Sequence, residues 1–329
     1  MPSQVPAPSN FTSLSGFDVS PPAILALGEP MIEFNQTRPG EPNYLQGYGG
    51  DTSNAIIACA RQGAPCGYIT RVGDDEFGRM LGALWRAEGV DSSGVAIDAT
   101  AHTAVYFVNH DARGHVFSYL RKGSAASRMV PADLPVQLIQ GARYLHVSGV
   151  SQAISESAAD TAFHAMQIAR AAGVKVAYDT NLRLKLWPLE RAREVMRRAI
   201  GLADYLLPSL EDMQALARLD EPDAIIDWCF AQANATTQMS VVLKLGRYGC
   251  IAATREQRTR IAGHKIDAVD ATGAGDCFDG AFLARLHFGD DLVSAARYAN
   301  AAAALTTTGF GAVAPLPRAE AVQAFLQQP

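Results

Sequence analysis

The chain has 329 residues, of which 48% are hydrophobic and 19% are charged. This composition is ordinary for a globular protein and excludes disordered, collagen-like and coiled-coil chains. The 28 basic and 33 acidic side chains give a net charge of -5, which argues against a nucleic-acid partner. It does not argue against small anionic ligands, because a few local cations suffice to hold them.

The stretch from residue 1 to 22 is rich in Ser and Pro, and the first basic residue of the chain is Arg38. It lacks the charged start of a secretory signal, so we expect residues 1–22 to be a disordered leader before one folded domain, residues 23–329. The five cysteines are scattered without a C-x-x-C pair, which indicates neither disulfides nor zinc and fits a cytoplasmic protein. No apolar run approaches the roughly 20 residues of a transmembrane helix, so we expect no membrane partner.

The first third of the chain mixes strands, helices and polar turns. We predict a strand at 23–27, a polar hairpin at 33–47, a helix at 55–62 opened by the small residues 49–54, a strand at 68–72 and a helix at 77–88. Residues 104–120 alternate between apolar and polar side chains around a turn at 109–114, which predicts a second hairpin. We expect the two hairpins to pair, so that strands from about 31–48 and 103–122 form a small separate sheet.

After Gly141 the chain alternates between strands and helices. We predict strands at 144–147, 174–178, 205–207 and 240–245, and helices at 156–172, 189–199, 210–219, 275–286 and 292–306. Strands that alternate with helices indicate a parallel, doubly wound sheet. We therefore predict an α/β fold with a small second sheet.

The strongest local signal is the stretch Asp270-Ala271-Thr272-Gly273-Ala274-Gly275-Asp276, which directly precedes an apolar helix. Glycines at a helix start let the backbone approach a ligand, and the free amides there bind anions. An acid in the first turn, Asp276, then suits phosphoryl transfer, because it can accept a hydroxyl proton beside the anion hole. A helix start in which the glycines serve packing and the acid serves the helix dipole is the alternative interpretation.

Two further stretches accompany this motif: Gly49-Gly50-Asp51-Thr52-Ser53-Asn54-Ala55, and Arg71-Val72-Gly73-Asp74-Asp75 with Phe77-Gly78. Together the three resemble the ribokinase-like sugar kinases of the PfkB family, over nearly the whole chain from 23 to 317. The resemblance implies a ribokinase-like three-layer sandwich with a mostly parallel central sheet and a small β-sheet lid. It also implies ATP and Mg²⁺ as cofactors and allows a monovalent cation.

The resemblance assigns roles to the residues that match the family's motifs. The catalytic group is Asp276 as base, with Gly273, Ala274 and Gly275 as the anion hole. The substrate group contains Gly50, Asp51 and Asn54, and the cofactor group contains Asn181, Ser209, Lys244, Gly246, Gly249 and Asn300. The family's Asn-x-x-Glu motif falls on Ser209 and Asp212, so Asp212 is the expected magnesium residue, with Glu211 as the alternative acid.

Three stretches resemble the 2-keto-3-deoxygluconate kinases within this family: residues 119–126, 146–149 and 179–187. A sugar acid carries a carboxylate, which a guanidinium grips with two parallel hydrogen bonds. We expect Arg121 to hold that carboxylate, with Tyr106 and Tyr119 as hydroxyl partners. Arg183 is expected to bind either the substrate or the phosphates of ATP.

The function that this resemblance implies is ATP-dependent phosphorylation of 2-keto-3-deoxy-D-gluconate to its 6-phosphate, with a role in the Entner–Doudoroff pathway. The alternatives are a fructokinase or another sugar kinase of the family, and a sugar-sensing protein without turnover. A sensor need not retain the acid at Asp276. The exposed edge of the predicted lid, with the family likeness, suggests a homo-oligomer formed through the lid. The sequence leaves open the configuration at C4 of the sugar and the nucleotide preference.

Overall fold

The computed structural model describes residues 21–111, 114–235 and 237–327, so most of the predicted leader and part of the predicted turn at 109–114 lie outside the described residues. The strands are β1 Ile24–Leu27, β2 Met31–Gln36, β3 Tyr44–Gly49, β4 Cys66–Gly73, β5 Asp91–Asp98, β6 Ala104–Asp111, β7 Gly114–Leu120, β8 Tyr144–Ser148, β9 Lys175–Asp179, β10 Tyr205–Leu206, β11 Ser240–Lys244, β12 Gly249–Ala253 and β13 Arg258–Ala262. The helices are α1 Asp51–Arg61, α2 Glu76–Glu88, α3 Val136–Gly141, α4 Gly149–Ala153, α5 Glu156–Ala171, α6 Leu189–Ile200, α7 Leu210–Ala217, α8 Pro222–Gln232, α9 Ala274–His287, α10 Leu292–Thr306 and α11 Ala319–Leu326.

Nine of the described strands form one large sheet in the order β13-β12-β11-β10-β9-β8-β1-β4-β5. The pairs from β5 to β11 are parallel, whereas β12 pairs antiparallel with both of its neighbours. The predicted mostly parallel sheet and the ribokinase-like α/β fold class are therefore confirmed. In such a sheet ligands bind outside the carboxyl ends of the parallel strands, which places the site before any side chain is considered.

Helices cover both faces of the large sheet, and strand β1 shows why its sequence is a continuous apolar run. Ile24 and Ala26 belong to the core cluster that contains residues of α1, α9 and α10, whereas Leu25 and Leu27 belong to the cluster that contains residues of α5, α6 and α8. A strand buried on both faces needs apolar side chains at every position. The result is three layers, with the sheet in the middle.

The other four strands form the small sheet, in the order β3-β2-β6-β7. Strand β2 pairs parallel with β6, and the hairpins β2-β3 and β6-β7 complete the sheet. The predicted pairing of the two hairpins is thus present. The hairpin strands extend further than predicted, because Asp111 pairs with Gly114 inside the predicted turn at 109–114.

Several elements had no counterpart in the sequence analysis: β5, β12, β13, α3, α4, α8 and α11. Strand β5 has the sequence DSSGVAID, which lacks an apolar run because it is an edge strand that pairs only with β4. Helix α1 begins at Asp51 rather than at residue 55, so the small residues 51–54 form its first turn. Asp51 and Asn54 therefore lie in the first turn of a helix rather than in a loop.

None of the helices in the described ranges is long and apolar enough to cross a membrane. The five cysteines are all buried, and their thiols are free.

Helices α1 and α9, whose first turns carry predicted site residues, touch at Gly280. A Cβ atom at this position would lie 2.0 Å from the carbonyl oxygen of Ala55 and 2.9 Å from Cβ of Ala58. Gly280→Ala is therefore expected to lower the free energy of unfolding by about 1–3 kcal/mol, since the helices must separate. Urea unfolding measures this loss. The control is Gly82→Ala in α2, where no atom lies within 4 Å and a gain of about 0.5–1 kcal/mol is expected. Equal effects of the two changes would contradict the close contact.

Candidate active site

A cavity of about 700 Å³ opens where the carboxyl ends of the parallel strands, the amino ends of α1 and α9 and the small sheet meet. Its wall contains most of the predicted site residues: Gly50, Asp51, Asn54, Tyr106, Tyr119, Arg121, Asn181, Arg183, Ser209, Asp212, Lys244, Gly246, Gly273, Gly275 and Asp276. Ala274, Gly249 and Asn300 were predicted as well, but they do not line it. The fold therefore brings together side chains that are more than 200 positions apart in the sequence.

The first turn of α1 supplies hydrogen-bond acceptors to the cavity. Asp51 Oδ2 accepts a hydrogen bond from Asn181 Nδ2 at 2.9 Å, while Asp51 Oδ1 is buried with no hydrogen-bond partner in the described structure. Asn54 Oδ1 is likewise buried and unpartnered. A buried acceptor without a donor is costly, so both oxygens fit the hydroxyl groups of a bound sugar.

The predicted anion hole falls at the start of α9, where Gly273 caps the helix with φ of 76°. A Cβ there would lie 2.8 Å from the carbonyl oxygen of Ala312, so only glycine fits. Ala274 departs from its predicted role, because its amide donates to the carbonyl oxygen of Ala271 at 3.2 Å in a tight turn. Helix geometry leaves the next two amides, of Gly275 and Asp276, without intrahelical acceptors, so these two are available to an anion.

The carboxyl group of Asp276 has a raised pKa. Desolvation by the surrounding protein, together with the nearby charge of Asp51, raises its pKa to about 7. A hydrogen bond from Asn54 Nδ2 to Asp276 Oδ2, at 2.8 Å, works in the opposite direction and fixes the orientation of the carboxyl group. A general base is most effective when its pKa is close to the working pH.

Turnover is expected to rise with pH through an apparent pKa of about 7, since Asp276 accepts a proton only when it is deprotonated. Measuring kcat/KM for the sugar against pH tests this, and a profile that stays flat around neutrality would contradict it.

The same raised pKa of Asp276 means that the folded state binds this proton more tightly than the unfolded state. Asp276 therefore favours folding at low pH, and this contribution is lost as pH rises through 7.

Arg121 lies at the end of the small sheet, but its guanidinium already has a carboxylate partner. Arg121 Nε donates to Glu29 Oε2 at 2.7 Å, and Arg121 Nη2 lies 2.5 Å from the same oxygen. Ser124 also donates to Glu29, whose pKa is raised by burial. The predicted carboxylate clamp is thus engaged within the protein. The only signal for this in the sequence is a charged residue two positions after strand β1.

The two tyrosines predicted to bind the substrate differ in whether their hydroxyl groups are already hydrogen-bonded within the protein and in their exposure. Tyr106 Oη donates a hydrogen bond to the buried carboxylate of Glu33, so its proton is already committed. Tyr119 is 38% exposed, and its ring lies 5.6 Å from the guanidinium carbon of Arg121. Glu33, like Glu29, was not identified from the sequence. Of the two tyrosines, Tyr119 has the more accessible hydroxyl.

Arg183 lies near three carboxylates of the cavity rather than in contact with one. Burial raises the pKa values of Asp51, Asp212 and Asp276, and the charge of Arg183 opposes this rise. Arg183 Nη1 donates to the carbonyl oxygen of Leu182 at 3.0 Å. Asn181 lies two positions before Arg183 and has a φ of 33°, a conformation that costs a non-glycine residue free energy. Next to this turn, the side-chain amide of Asn181 donates to Asp51 and Arg183 lines the cavity.

The first turn of α7 carries the two acidic residues, Glu211 and Asp212, that are candidates for holding a magnesium ion. Asp212 Oδ2 accepts hydrogen bonds from Thr180 Oγ1 at 2.8 Å and from the amide of Leu182 at 3.0 Å, so this carboxylate is oriented by two donors. Glu211 lines the cavity beside it and is exposed. In the described ranges no group of three His, Cys, Asp or Glu side chains is close enough to hold a metal ion. Mg²⁺ bound with a nucleotide uses one or two carboxylates, phosphates and water, which these two acids fit.

Of the other residues predicted to bind the cofactor, Gly246 and Gly249 follow strand β11, and Asn300 lies within helix α10. Gly246, with φ of 57°, begins the turn after Lys244 and lines the cavity. Gly249, with φ of 93°, begins β12 beyond that turn. Asn300 Nδ2 donates to the carbonyl oxygen of Ala262, at the end of β13, at 2.9 Å. Gly249 and Asn300 therefore shape the backbone next to the cavity instead of facing it.

A sequence model described as pfkB family carbohydrate kinase matches residues 22–319. Fructokinase-1 of Oryza sativa subsp. japonica is 36% identical over 308 residues, which cover 89% of this chain and 94% of the rice protein. A double mutant of a Vibrio cholerae O395 fructokinase, solved with fructose, ADP and a potassium ion, is 28% identical with a TM-score of 0.84 and covers 94% of this chain and 100% of its own. An E. coli structure in complex with ATP and Mg²⁺ is 25% identical with a TM-score of 0.85, covering 93% and 99% of the two chains.

Proposed function

The chain belongs to the pfkB family of carbohydrate kinases, and on that premise we propose that it transfers the γ-phosphoryl group of ATP to the terminal hydroxyl group of fructose. The observation that carries the proposal is the carboxyl group of Asp276, with a pKa near 7, at the amino end of α9 and within a cavity lined by unpartnered acceptors. The fructokinases among its relatives support fructose as the acceptor.

In the proposed reaction, Asp276 accepts the proton of the attacking hydroxyl group as the oxygen approaches the γ-phosphorus. Asn54 holds the carboxyl group in place through its hydrogen bond. The amides of Gly275 and Asp276 stabilise the charge on the transferred group, and Arg183, which lines the cavity, contributes its positive charge. Asp212 and Glu211 would hold magnesium, which would neutralise negative charge on the phosphate groups when bound. Binding of a monovalent cation as a further cofactor stays a prediction.

The charges at the sugar end of the cavity support a neutral sugar over a sugar acid. Asp51 and Asp276 are acidic, and the guanidinium of Arg121 is engaged by Glu29. A substrate carboxylate beside Arg121 would therefore also lie near the carboxylate of Glu29, and repulsion between like charges would oppose its binding. A neutral hexose meets only hydroxyl-compatible groups there, among them Oδ1 of Asp51 and Oδ1 of Asn54.

One observation favours 2-keto-3-deoxy-D-gluconate as a second candidate. Arg121 Nη2 is buried with no hydrogen-bond partner of good geometry among the described residues, although it lies next to Glu29. A substrate carboxylate supplies an acceptor for it. Both candidates are six-carbon 2-keto compounds with a terminal hydroxyl group, so the same base serves both. The Entner–Doudoroff role depends on the acid and stays a prediction, as does a homo-oligomer through the small sheet, whose edge strands are β3 and β7.

Coupled ADP-release assays with fructose and with 2-keto-3-deoxy-D-gluconate test the substrate assignment. We expect kcat/KM for fructose to exceed that for the acid by at least about tenfold, since a charge mismatch in a closed site costs more than a kilocalorie. A ratio reversed in favour of the acid would replace the first candidate with the second. ADP release that no sugar stimulates would contradict both.

A further inference from the structure

Four ionisable side chains form a cluster at the cavity, and two of them, Asp179 and Lys244, line it. His146 comes from β8, Asp179 and Lys244 from the carboxyl ends of β9 and β11, and Asp279 from α9, one turn after Asp276. Lys244 Nζ lies 3.0 Å from Asp279 Oδ1 and 3.2 Å from Asp179 Oδ1. His146 Nε2 lies 4.0 Å from Asp279 Oδ2. The proposed reaction does not yet use this cluster.

Within the cluster, Lys244 is the group that reaches the anion hole. Its Nζ lies 3.8 Å from the point that a Cβ atom would occupy at Gly275, and its side chain lines the cavity. The side chain of Lys244 is 12% exposed, whereas that of Asp279 is 1% exposed. The two carboxylates thus hold the ammonium, and its Nζ atom lies close to the start of α9.

The ammonium group of Lys244 lies next to a helix start, and two carboxylates compensate its charge there. The amino end of a helix carries partial positive charge, so a cation next to it is repelled. Desolvation by burial would also lower the pKa of Lys244, but the two carboxylates overcome this effect and the pKa is raised. The protein therefore maintains a charged amine where the backbone already attracts anions, an arrangement that favours a phosphoryl group as ligand.

We propose that Lys244 is a catalytic residue whose ammonium group contacts the transferred phosphoryl group in the transition state, held in place by Asp179 and Asp279. The proposal rests on the phosphoryl transfer proposed above but not on which sugar accepts the group. In the transition state, negative charge spreads over the equatorial oxygens of that group, and a fixed cation stabilises it without reorganisation. Asp279 and Asp179 are positioning residues, since they act through Lys244.

The test compares Lys244→Met with wild type in kcat and in binding of a transition-state mimic. We expect kcat to fall by about 100-fold, while KM for ATP and for the sugar change by less than about threefold, because the contact belongs to the transition state. Calorimetry then measures the affinity for magnesium–ADP with and without fluoroaluminate, a mimic of the transferred phosphoryl group. The variant should bind magnesium–ADP normally and lose at least about tenfold of the gain that fluoroaluminate gives the wild type.

The control is Lys175→Met, which removes a pair of the same length, Lys175 Nζ to Asp204 Oδ1 at 3.0 Å, at the opposite end of β9. It should keep wild-type kcat. Lys244→Gln repeats the test with a side chain that still donates to both carboxylates. An unchanged kcat or an unchanged fluoroaluminate gain in either folded variant would overturn the proposal, and so would failure of both to fold while Lys175→Met folds. An inactive wild type would instead contradict the proposed function.

Discussion

Asp276→Asn is expected to lower kcat by about two to four orders of magnitude, because the amide cannot accept the proton of the attacking hydroxyl group. The change keeps the size of the side chain, and Asn54 still has an oxygen to which it can donate. Affinity for the nucleotide should remain nearly unchanged, since the carboxyl group is assigned to the sugar and not to ATP. Steady-state kinetics at saturating ATP and calorimetric titration with ADP measure the two effects.

The matched control is Glu76→Gln, the same carboxylate-to-amide change in the first turn of α2, where the side chain is 73% exposed. It should leave kcat at the wild-type value. The loss of the rising limb of the pH profile in Asp276→Asn would link the limb near pH 7 to this residue. Activity of Asp276→Asn within about threefold of wild type would remove Asp276 from the mechanism.

Arg121→Ala is expected to lower the free energy of unfolding by about 3–5 kcal/mol, because it leaves the buried carboxyl group of Glu29 without its cation. Chemical unfolding monitored by fluorescence measures this loss. The double variant Glu29→Gln with Arg121→Met removes both charges, and it should recover most of the lost stability. A single variant as stable as wild type would show that the ion pair contributes little.

The same double variant also separates the two candidate substrates. If Arg121 serves mainly to neutralise Glu29, kcat/KM for fructose in the double variant should stay within about tenfold of wild type. If Arg121 holds a substrate carboxylate, turnover of 2-keto-3-deoxy-D-gluconate should fall far more than turnover of fructose. A loss confined to the sugar acid would therefore favour 2-keto-3-deoxy-D-gluconate as the substrate.

Local signals in the sequence predicted most strands of the parallel sheet, both hairpins and the long helices, but not every element. The apolar run of β1, the small residues before α1 and the alternation in residues 104–120 each depend on neighbours within a few positions. Elements without such a pattern were missed, as in β5, whose polar edge position hides its strand character. The start of α1 was placed four residues late, because Asp51 to Asn54 also suit a loop.

The residues of the site were predictable where a family motif contains them, and their partners were not. Glu29 contacts Arg121 across 92 positions and Glu33 contacts Tyr106 across 73, and no local pattern encodes such distant pairs. The turn that engages the amide of Ala274 depends on one hydrogen bond that the glycine pattern does not reveal. The buried pairing of Lys244 with Asp279 likewise emerges only when α9 packs on the sheet.

The most direct test of the account follows the reaction products by phosphorus NMR, with wild type and Asp276→Asn each incubated with ATP, magnesium and fructose. We expect the wild type to form ADP and a fructose phosphate monoester on the terminal carbon in equal amounts, and the variant to form both at least about a hundredfold more slowly. Formation of ADP without a sugar phosphate, or equal rates in the two proteins, would contradict the account.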